Sequence, residues 1–550
     1  MKFIFNLVFC FSVLLFSSCI KDLGNYDYAE VNSVSFKDMT DDSYSVTMGR
    51  EFSIDAPVGF EKEDTDTSDF RIDWYLDGKK IASGTKLVYT INKTGVFTLV
   101  LKVTDLKGGE VYISEPMQLN VAGGFSWGWI ILSEEEGRSV LSYISPDLYC
   151  IKGIYEDVNG SGLGRDPKSI WYYFVSGSIP GFYVGGKAKI VINQGSGGVT
   201  LDASTLEPDM LLSSEFSTGT EPPGIVMKDF ANKDFFYSIV DSDGNVYIKP
   251  VGFDNKSIPY YGTYSSIPYE FDGGGSIGCS GSFMYMNSNE CASCDCQILY
   301  DERNCRFIGL YGPAYDDDYF PAVTYFNNYD EDFELPAGVL PVNDMGAGTK
   351  VLAIGPYEGM DLVSLPGETA KVIYLWSRYY SVIDVGGTGN YYVHSWLVKS
   401  YSGTNHIITD SDQRPFPAPE LLNRKSIIKM SANFNIYKYF FFTDGAENLY
   451  VCNIETLDYK FIYKAKSDIT YIHASPVTSV FKDYGGNPEY PDFRLAVCCV
   501  NGNIDILNVR ESEIVKIYEG DDSGLFLKKF DGFGTIKGMI WATRGFEGEY

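Results

Sequence analysis

Cys291, Cys294, Cys296 and Cys305 lie within SNECASCDCQILYDERNCRF, a C-x2-C-x-C-x8-C run that gathers more reactive side chains than any other stretch of the chain. Four thiolates at short spacing could hold tetrahedral zinc or an iron–sulfur cluster. This spacing matches no standard pattern for either. In an extracytoplasmic compartment, two disulfides stapling a long insertion loop are the expected outcome, with metal as the alternative. Downstream comes YDDDYFPAVTYFNNYDEDFELP. Asp316, Asp317 and Asp318 could bind calcium, but no D-x-D-x-D-G loop with a closing Glu surrounds them. Acidic runs of this kind are usually solvated, so structural calcium is a weak candidate and no other cofactor is expected. Tyr315, Tyr319, Phe320, Tyr325 and Tyr329 are interspersed with those acids. Aromatic rings over a loop face make a platform for sugars or polar peptides. Trp171 and Tyr172 are further candidates for such a face.

Catalytic signals are sparse. The chain has 3 histidines, His394, His406 and His473, and no H-E-x-x-H motif. Satisfied or surface histidines are the expectation. Carboxylate pairs that hydrolyse glycosides are selected by geometry, which the sequence of 73 acids does not provide. Asp241, Asp243, Gly244 and Asn245 open like a calcium loop, but Tyr247 and Lys249 continue as strand, so a hairpin is expected.

The start of the chain sets where this chemistry would operate. Residues 1–18 read as a signal peptide: Lys2, then an apolar run from Phe3 to Phe16 too short to span a bilayer. Ser17 and Ser18 lead into Cys19, an ending that resembles a bacterial lipobox, with Phe16 an imperfect match to its aliphatic position. Cys19 is therefore the expected site of lipidation, and the membrane is expected to be met through the lipid alone. Residues 19–30 read as a polar stalk, in which Lys21-Asp22 resembles the export signal of surface-exposed lipoproteins. Of the 11 cysteines, Cys10 would leave with the signal and Cys19 would carry lipid, so an odd number remain. Cys150, Cys279, Cys452, Cys498 and Cys499 mostly sit in apolar strand text and should be free and buried.

The formal net charge of -29 disfavours nucleic acid as a partner. Aromatic residues make up 15% of the chain, with 42 Tyr and 56 Gly, which reads as all-β with many turns. Residues 31–122 carry DFRIDWYLDGKKI and GVFTLVLKVTDLKGG. Phe97, Leu99, Leu101 and Val103 alternate with Thr98, Lys102 and Thr104, and Asp77-Gly78 is a hairpin signal. Trp74 falls where immunoglobulin-type sandwiches place a core tryptophan, but no cysteine pair flanks it. Residues 125–550 repeat an apolar strand, a Gly/Asp/Asn turn, a second strand and a polar corner, as in GWIILSEEEGRSVLSYI and FRLAVCCVNGNIDILNV. The expected fold is therefore all-β, an N-terminal PKD/immunoglobulin-like sandwich followed by a β-propeller of seven or eight blades.

Cys19 followed by KDLGNYDY, the WYLDG domain, the GWIILSEEEG opening and LGRDPKSIWY from Leu163 resemble the PKD-like family lipoproteins of Bacteroidota. The resemblance implies an accessory lipoprotein of a Sus-type uptake system in the outer membrane, exposed at the cell surface. Its implied partners are a TonB-dependent channel with its lid lipoprotein, and its implied ligand an oligopeptide or glycan. It carries over no catalytic motif. A propeller hydrolase or lyase acting on glycans or peptides is one rival expectation, and a scaffold docking other lipoproteins is the other.

Overall fold

The computed structural model describes residues 32–36, 44–62, 64–91, 93, 95–122, 125, 128–175, 187–232, 236–251, 261–281, 296–311, 322–364, 371–401, 405–431, 434, 437–475 and 493–542. The expected leader, Cys19 and the stalk lie outside them. No described helix is long and apolar enough to cross a membrane. The fold is all-β, and the chain divides into two compact units, one holding Arg50–Thr90 and Gly95–Val121, the other Ala122–Tyr550.

In the first unit one sheet runs in the order Tyr44–Thr47, Met117–Ala122, Gly95–Asp105, Phe70–Leu76, Lys79–Ser83, with Val111–Ile113 also on Gly95–Asp105. Two strand pairs, Val34–Phe36 with Val58–Phe60 and Glu51–Asp55 with Lys86–Thr90, complete it. The alternation in Gly95–Asp105 puts Leu99, Leu101 and Val103 fully inside. They pack with Ile72, Leu87, Met117 and Trp74. Trp74 is fully buried and its indole N–H donates to the Gly84 carbonyl at 3.0 Å. The turn Asp77-Gly78 takes positive φ at both residues, 46° and 79°, as a tight hairpin requires. Trp74→Ala removes the largest side chain of this core. It is expected to lower the unit's stability by about 3–5 kcal/mol, read as a shift in its urea midpoint.

Among the described residues the second unit is a succession of seven antiparallel sheets. The second sheet is Pro167–Val175, Lys187–Gln194, Val199–Asp202, Pro208–Leu211, and the third is Met227–Asn232, Phe236–Asp241, Val246–Pro250. The fourth is Ile277–Gly281, Cys296–Asp301, Arg306–Tyr311, Ala322–Thr324. The fifth is Lys350–Ser364, Lys371–Val385, Asn390–Tyr401, Asn405–Pro415, with strands far longer than the rest. The sixth is Ile428–Lys429, Tyr439–Thr443, Asn448–Asn453, Tyr459–Lys464, and the seventh is Ile469–Ala474, Arg494–Cys499, Ile504–Asn508, Phe526–Phe530. The first sheet draws on both ends of the unit: Thr535–Ala542 pairs with Gly128–Glu135, followed by Arg138–Ile144 and Cys150–Lys152. Trp129 and Trp541 lie opposite each other in this pairing, their rings 4.7 Å apart and nearly perpendicular.

Adjacent sheets are joined by a recurring contact. The turn after the second strand of one sheet docks on the start of the next sheet's first strand. Asp166 N–H donates to Gly137 O at 3.1 Å, Ile277 N–H to Gly244 O at 3.0 Å, Ile469 N–H to Ala446 O at 2.8 Å and Phe533 N–H to Gly502 O at 3.1 Å. Met227 N–H reaches Asn193 Oδ1 at 3.1 Å in the same way. Gly502 is at φ 74°, and a Cβ there would sit 1.8 Å from the Phe533 carbonyl oxygen, so only glycine fits. These contacts hold neighbouring sheets in one orientation. The connections from first to second and from third to fourth strand consequently leave from the opposite end.

A second recurrence lies in the corner after the third strand. Asp202-Ala-Ser-Thr-Leu206 and Asn453-Ile-Glu-Thr-Leu457 occupy equivalent corners of the second and sixth sheets. Leu206 and Leu457 both take left-handed backbone, φ 61° and 60°. Their N–H groups return to the carbonyls of Asp202 at 2.8 Å and Asn453 at 2.9 Å. The Asp202 and Asn453 side chains accept the next free amides, from Ser204 at 2.9 Å and from Glu455 at 2.8 Å.

Candidate functional site

Tyr315, Tyr319, Phe320, Asp316, Asp317, Asp318, Cys291 and Cys294 lie outside the described residues. The strand ends flanking residues 282–295 and 312–321 belong to the fourth sheet and open at its docking-free end. At that end Tyr311 stacks on His406 of the fifth sheet, ring centroids 3.7 Å apart.

The described aromatic candidates do not form an open platform. Tyr172 is 4% exposed and belongs to the core. Trp171 is half-buried against the core between the second and third sheets, its indole N–H donating to Ser169 Oγ at 3.1 Å. Strand alternation sends these neighbours to opposite faces, so they cannot act as a pair. The Tyr325 hydroxyl accepts from Asp272 N–H at 2.9 Å, and the Arg306 guanidinium lies 4.4 Å from its ring centre. The Tyr329 hydroxyl accepts from Val342 N–H at 3.2 Å and its ring stacks on Phe333. Both bind loop backbone rather than project from it.

Cys305 corrects the expected staple: it is a free, buried thiol. Cys296 pairs with Tyr311 at one end of its hairpin, whereas Cys305 sits in the turn beyond the Asp301–Arg306 pair at the other. Five or six residues of strand span about 17–20 Å, far beyond the Cα separation of about 4.4–6.8 Å a disulfide allows. No cluster of three His, Cys, Asp or Glu suited to a metal occurs among the described residues. Cys150, Cys279, Cys452, Cys498 and Cys499 are free thiols, as their apolar strand positions implied. Burial pushes Cys279 up to about 12 and Cys150 and Cys499 up to about 11, so none is a ready nucleophile. Asp241 accepts from the amides of Asp243 at 2.9 Å and Asn245 at 2.8 Å, the expected hairpin. Gly274-Gly275-Ser276-Ile277-Gly278 has the letters of a nucleophile elbow. Ser276 lies just ahead of a first strand with no helix after it, and its hydroxyl turns to the Asp243 carbonyl at 3.5 Å.

The polar cluster with the most chemical potential was not legible from spacing, because its members are far apart in sequence. The first strands of the sheets neighbour one another in turn: Thr535–Ala542 with Pro167–Val175, that with Met227–Asn232, and Ile277–Gly281 with Lys350–Ser364. Ile428–Lys429 and Ile469–Ala474 follow, the latter returning to Thr535–Ala542. Between the third and fourth sheets the link is a side-chain one: Ser280 Oγ donates to Asp229 Oδ2 at 2.6 Å, and Lys228 reaches the Gly278 carbonyl. The cycle is thus continuous. Asp229, 9% exposed, stands on the third sheet, with Lys429 and His473 on the sixth and seventh. Burial holds Lys429 below the usual ammonium range, and the Asp229 charge partly offsets this. Burial first, and then the Lys429 charge, hold His473 well below the usual imidazole range. Lys429, His473 and Cys279 are half-buried. A separate shallow groove lined by Glu134, Glu135, Glu136, Asn501, Phe533 and Thr535 lies between the first and seventh sheets. It is open to solvent and does not reach this cluster.

The other two histidines set a pH dependence. His394 Nε2–H donates to the Leu340 carbonyl at 3.0 Å, while Nδ1 is buried without a partner. Burial lowers His394 to about 4, and His406 to about 4. Above pH ~6.5 both are neutral folded and unfolded. As pH falls from 6.5 towards 4, the unfolded chain takes up protons that the native state refuses. Stability is therefore lost in that window, by up to about 3 kcal/mol per histidine. Calorimetry from pH 7 to 4.5 should show a falling Tm, and the fall should be smaller in a His394→Gln/His406→Gln variant.

Residues 19–167 match the model of the PKD-like family. The chain carries a PKD-like family domain. The PKD-like match runs past the first unit, through Gly128–Glu135 and Arg138–Ile144, to the start of the second sheet. No curated protein matches the chain in sequence. Among solved structures it is similar to a quinoprotein alcohol dehydrogenase-like protein of Bacteroides thetaiotaomicron, at 10% identity, covering 94% of this chain and 97% of that one, with TM-score 0.37. It is also similar to immunoglobulin domains 1–4 of Sidekick-1, at 8% identity, covering 70% and 99%, with TM-score 0.16. At such scores neither likeness bears on function.

Proposed function

We propose that the second unit is a seven-bladed β-propeller and that the protein is a lipid-anchored binding protein of the outer-membrane surface. It captures an oligopeptide or glycan and hands it to a TonB-dependent channel and its lid lipoprotein. The observation that carries this reading is the continuous cycle of first strands, each in contact with the next. A ring of sheets around a central axis is an architecture for holding a ligand. The signal sequence and Cys19 favour the anchor, and the PKD-like domain suits a spacer between lipid and ring. Burial raises the thiols of Cys150, Cys279, Cys452, Cys498 and Cys499 and lowers the three histidines, an environment better matched to binding than to bond cleavage. Calorimetry of the purified full chain with peptide and oligosaccharide mixtures tests this. Binding with cargo recovered intact is expected. Recovery of cleaved cargo overturns it in favour of a hydrolase or lyase.

A further inference from the structure

We propose that the outermost strands of the sixth and seventh sheets form a recognition surface for an acidic glycan. Tyr463 and Phe526 stack on its sugar rings, and Lys466 and Lys529 take its carboxylates. This rests on the ligand-capture reading, from which it takes the choice of a glycan, and it names the glycan's charge.

The sixth sheet ends on Tyr459–Lys464 and the seventh on Phe526–Phe530. The segments YKFIYKAK from Tyr459 and FLKKF from Phe526 carry five lysines and no acid, in a chain with 44 Lys+Arg against 73 Asp+Glu. The net charge of -29 repels an acidic ligand overall, so a local concentration of cations decides where one settles. Side chains tie the two sheets together here. The Tyr463 hydroxyl donates to Asp505 Oδ2 at 3.0 Å, on the strand beside Phe526–Phe530. The Tyr463 ring lies within 12° of parallel to that of Phe526, centroids 6.3 Å apart. Phe526 is opposite Leu507 and Lys529 opposite Asp505, across a bulge, so both turn toward the sixth sheet, where Leu507 packs. Phe526 is nonetheless 50% exposed. On the other face of the sixth sheet's outer strand, Phe461 is 48% and Tyr459 38% exposed, both beside Tyr450. Lys464 is committed to Glu447 at 2.6 Å, Lys460 to the Tyr518 carbonyl at 3.4 Å and Lys528 to the Leu148 carbonyl at 2.6 Å. Lys466, exposed, and Lys529, half-buried, make no ion pair or hydrogen bond with any described residue. Asp505 is 2% exposed and fixes the Tyr463 ring from beneath. Flat aromatic faces take the C–H face of a pyranose, and ammonium groups beside them take a carboxylate. A polyuronate brings a ring and an acid in every residue, as these strands bring aromatic side chains and lysines. An acidic peptide brings the acids without the rings.

The test titrates polygalacturonate, its methyl ester and polyglutamate calorimetrically into the full chain carrying Cys19→Ser, so that no acyl chain contributes. Polygalacturonate is expected to bind at least about tenfold tighter than the ester and than polyglutamate. Lys466→Gln/Lys529→Gln should bring the acid polymer down to the affinity of the ester and leave the ester unchanged. Phe526→Ala should weaken both forms alike, by about fivefold. These side chains are exposed or half-buried, so the Tm of both variants should stay near that of the parent, which separates lost binding from misfolding. Equal affinity for acid and ester, or undiminished binding in the variants, overturns the surface while leaving ligand capture standing. Polyglutamate bound as tightly as polygalacturonate overturns it in favour of acidic peptides. Lysine-dependent binding to phosphatidylglycerol vesicles without binding of polygalacturonate overturns it in favour of a membrane face. Self-association that Phe526→Ala abolishes, again without binding of polygalacturonate, overturns it in favour of a second copy of the chain. Ligand capture is judged separately, by cargo and partners recovered from the membrane.

Discussion

Removal of residues 535–550 is expected to abolish cooperative folding of the second unit. Thr535–Ala542 is the last described strand in sequence, yet it is the first strand of the first sheet and pairs along its length with Gly128–Glu135. Met539, Ile540, Trp541 and Ala542 are all buried there. Burying such side chains contributes about 1.5–3 kcal/mol each for the larger ones, and the lost strand pairing adds to that. The loss is on the order of 10 kcal/mol, comparable with the whole stability of a typical domain. The deletion also strips the neighbours on both sides, because the strand touches those starting at Pro167 and Ile469. Calorimetry should show the transition of the second unit gone while that of the first unit persists. A deletion variant that retains its main transition would mean that the sheets do not depend on closure.

Cys19→Ser is expected to move essentially all of the protein from the membrane fraction to the soluble one. Each buried methylene of an acyl chain contributes about 0.8 kcal/mol, and stable anchoring needs more than one chain. With the cysteine gone and the apolar leader Phe3–Phe16 removed, the remaining candidates for membrane attachment are polar: the stalk IKDLGNYDYAE and a strongly acidic chain. Fractionation followed by immunoblotting reads the result directly. A Cys19→Ser variant that stays with the membrane would require a protein partner to hold it there.

The first unit was largely readable before its structure was known. Leu99, Leu101 and Val103 announced their buried face by period-2 alternation, and Asp77-Gly78 announced its turn by the chemistry of positive φ. In the second unit strand pairs were legible where an Asp or Asn and a Gly mark the hairpin, as at Asp241–Asn245 and Asp444–Asn448. The corner Asp202–Leu206 was harder to see, because left-handed backbone is usually signalled by Gly and here it falls on Leu, as it does again at Leu457. The order of the sheets around their cycle was not legible at all. It depends on contacts such as Ser280 to Asp229, which join residues 51 apart and leave no local pattern.

The site shows the same limit. Clusters close in sequence drew attention, and the structure separates two of them: Cys305 from Cys296 by the length of a hairpin, and Trp171 from Tyr172 by strand alternation. Lys429 and His473 are single residues in apolar text, with nothing beside them to suggest chemistry. They lie on the first strands of the sixth and seventh sheets, which only the fold brings side by side.

Affinity purification of the full, natively lipidated chain from its own outer membrane, followed by mass spectrometry of proteins and small molecules, tests the central claim most directly. The account predicts a TonB-dependent channel and its lid lipoprotein in the eluate, with an intact peptide or glycan. A protein that elutes alone, without channel, lid or cargo, would contradict it.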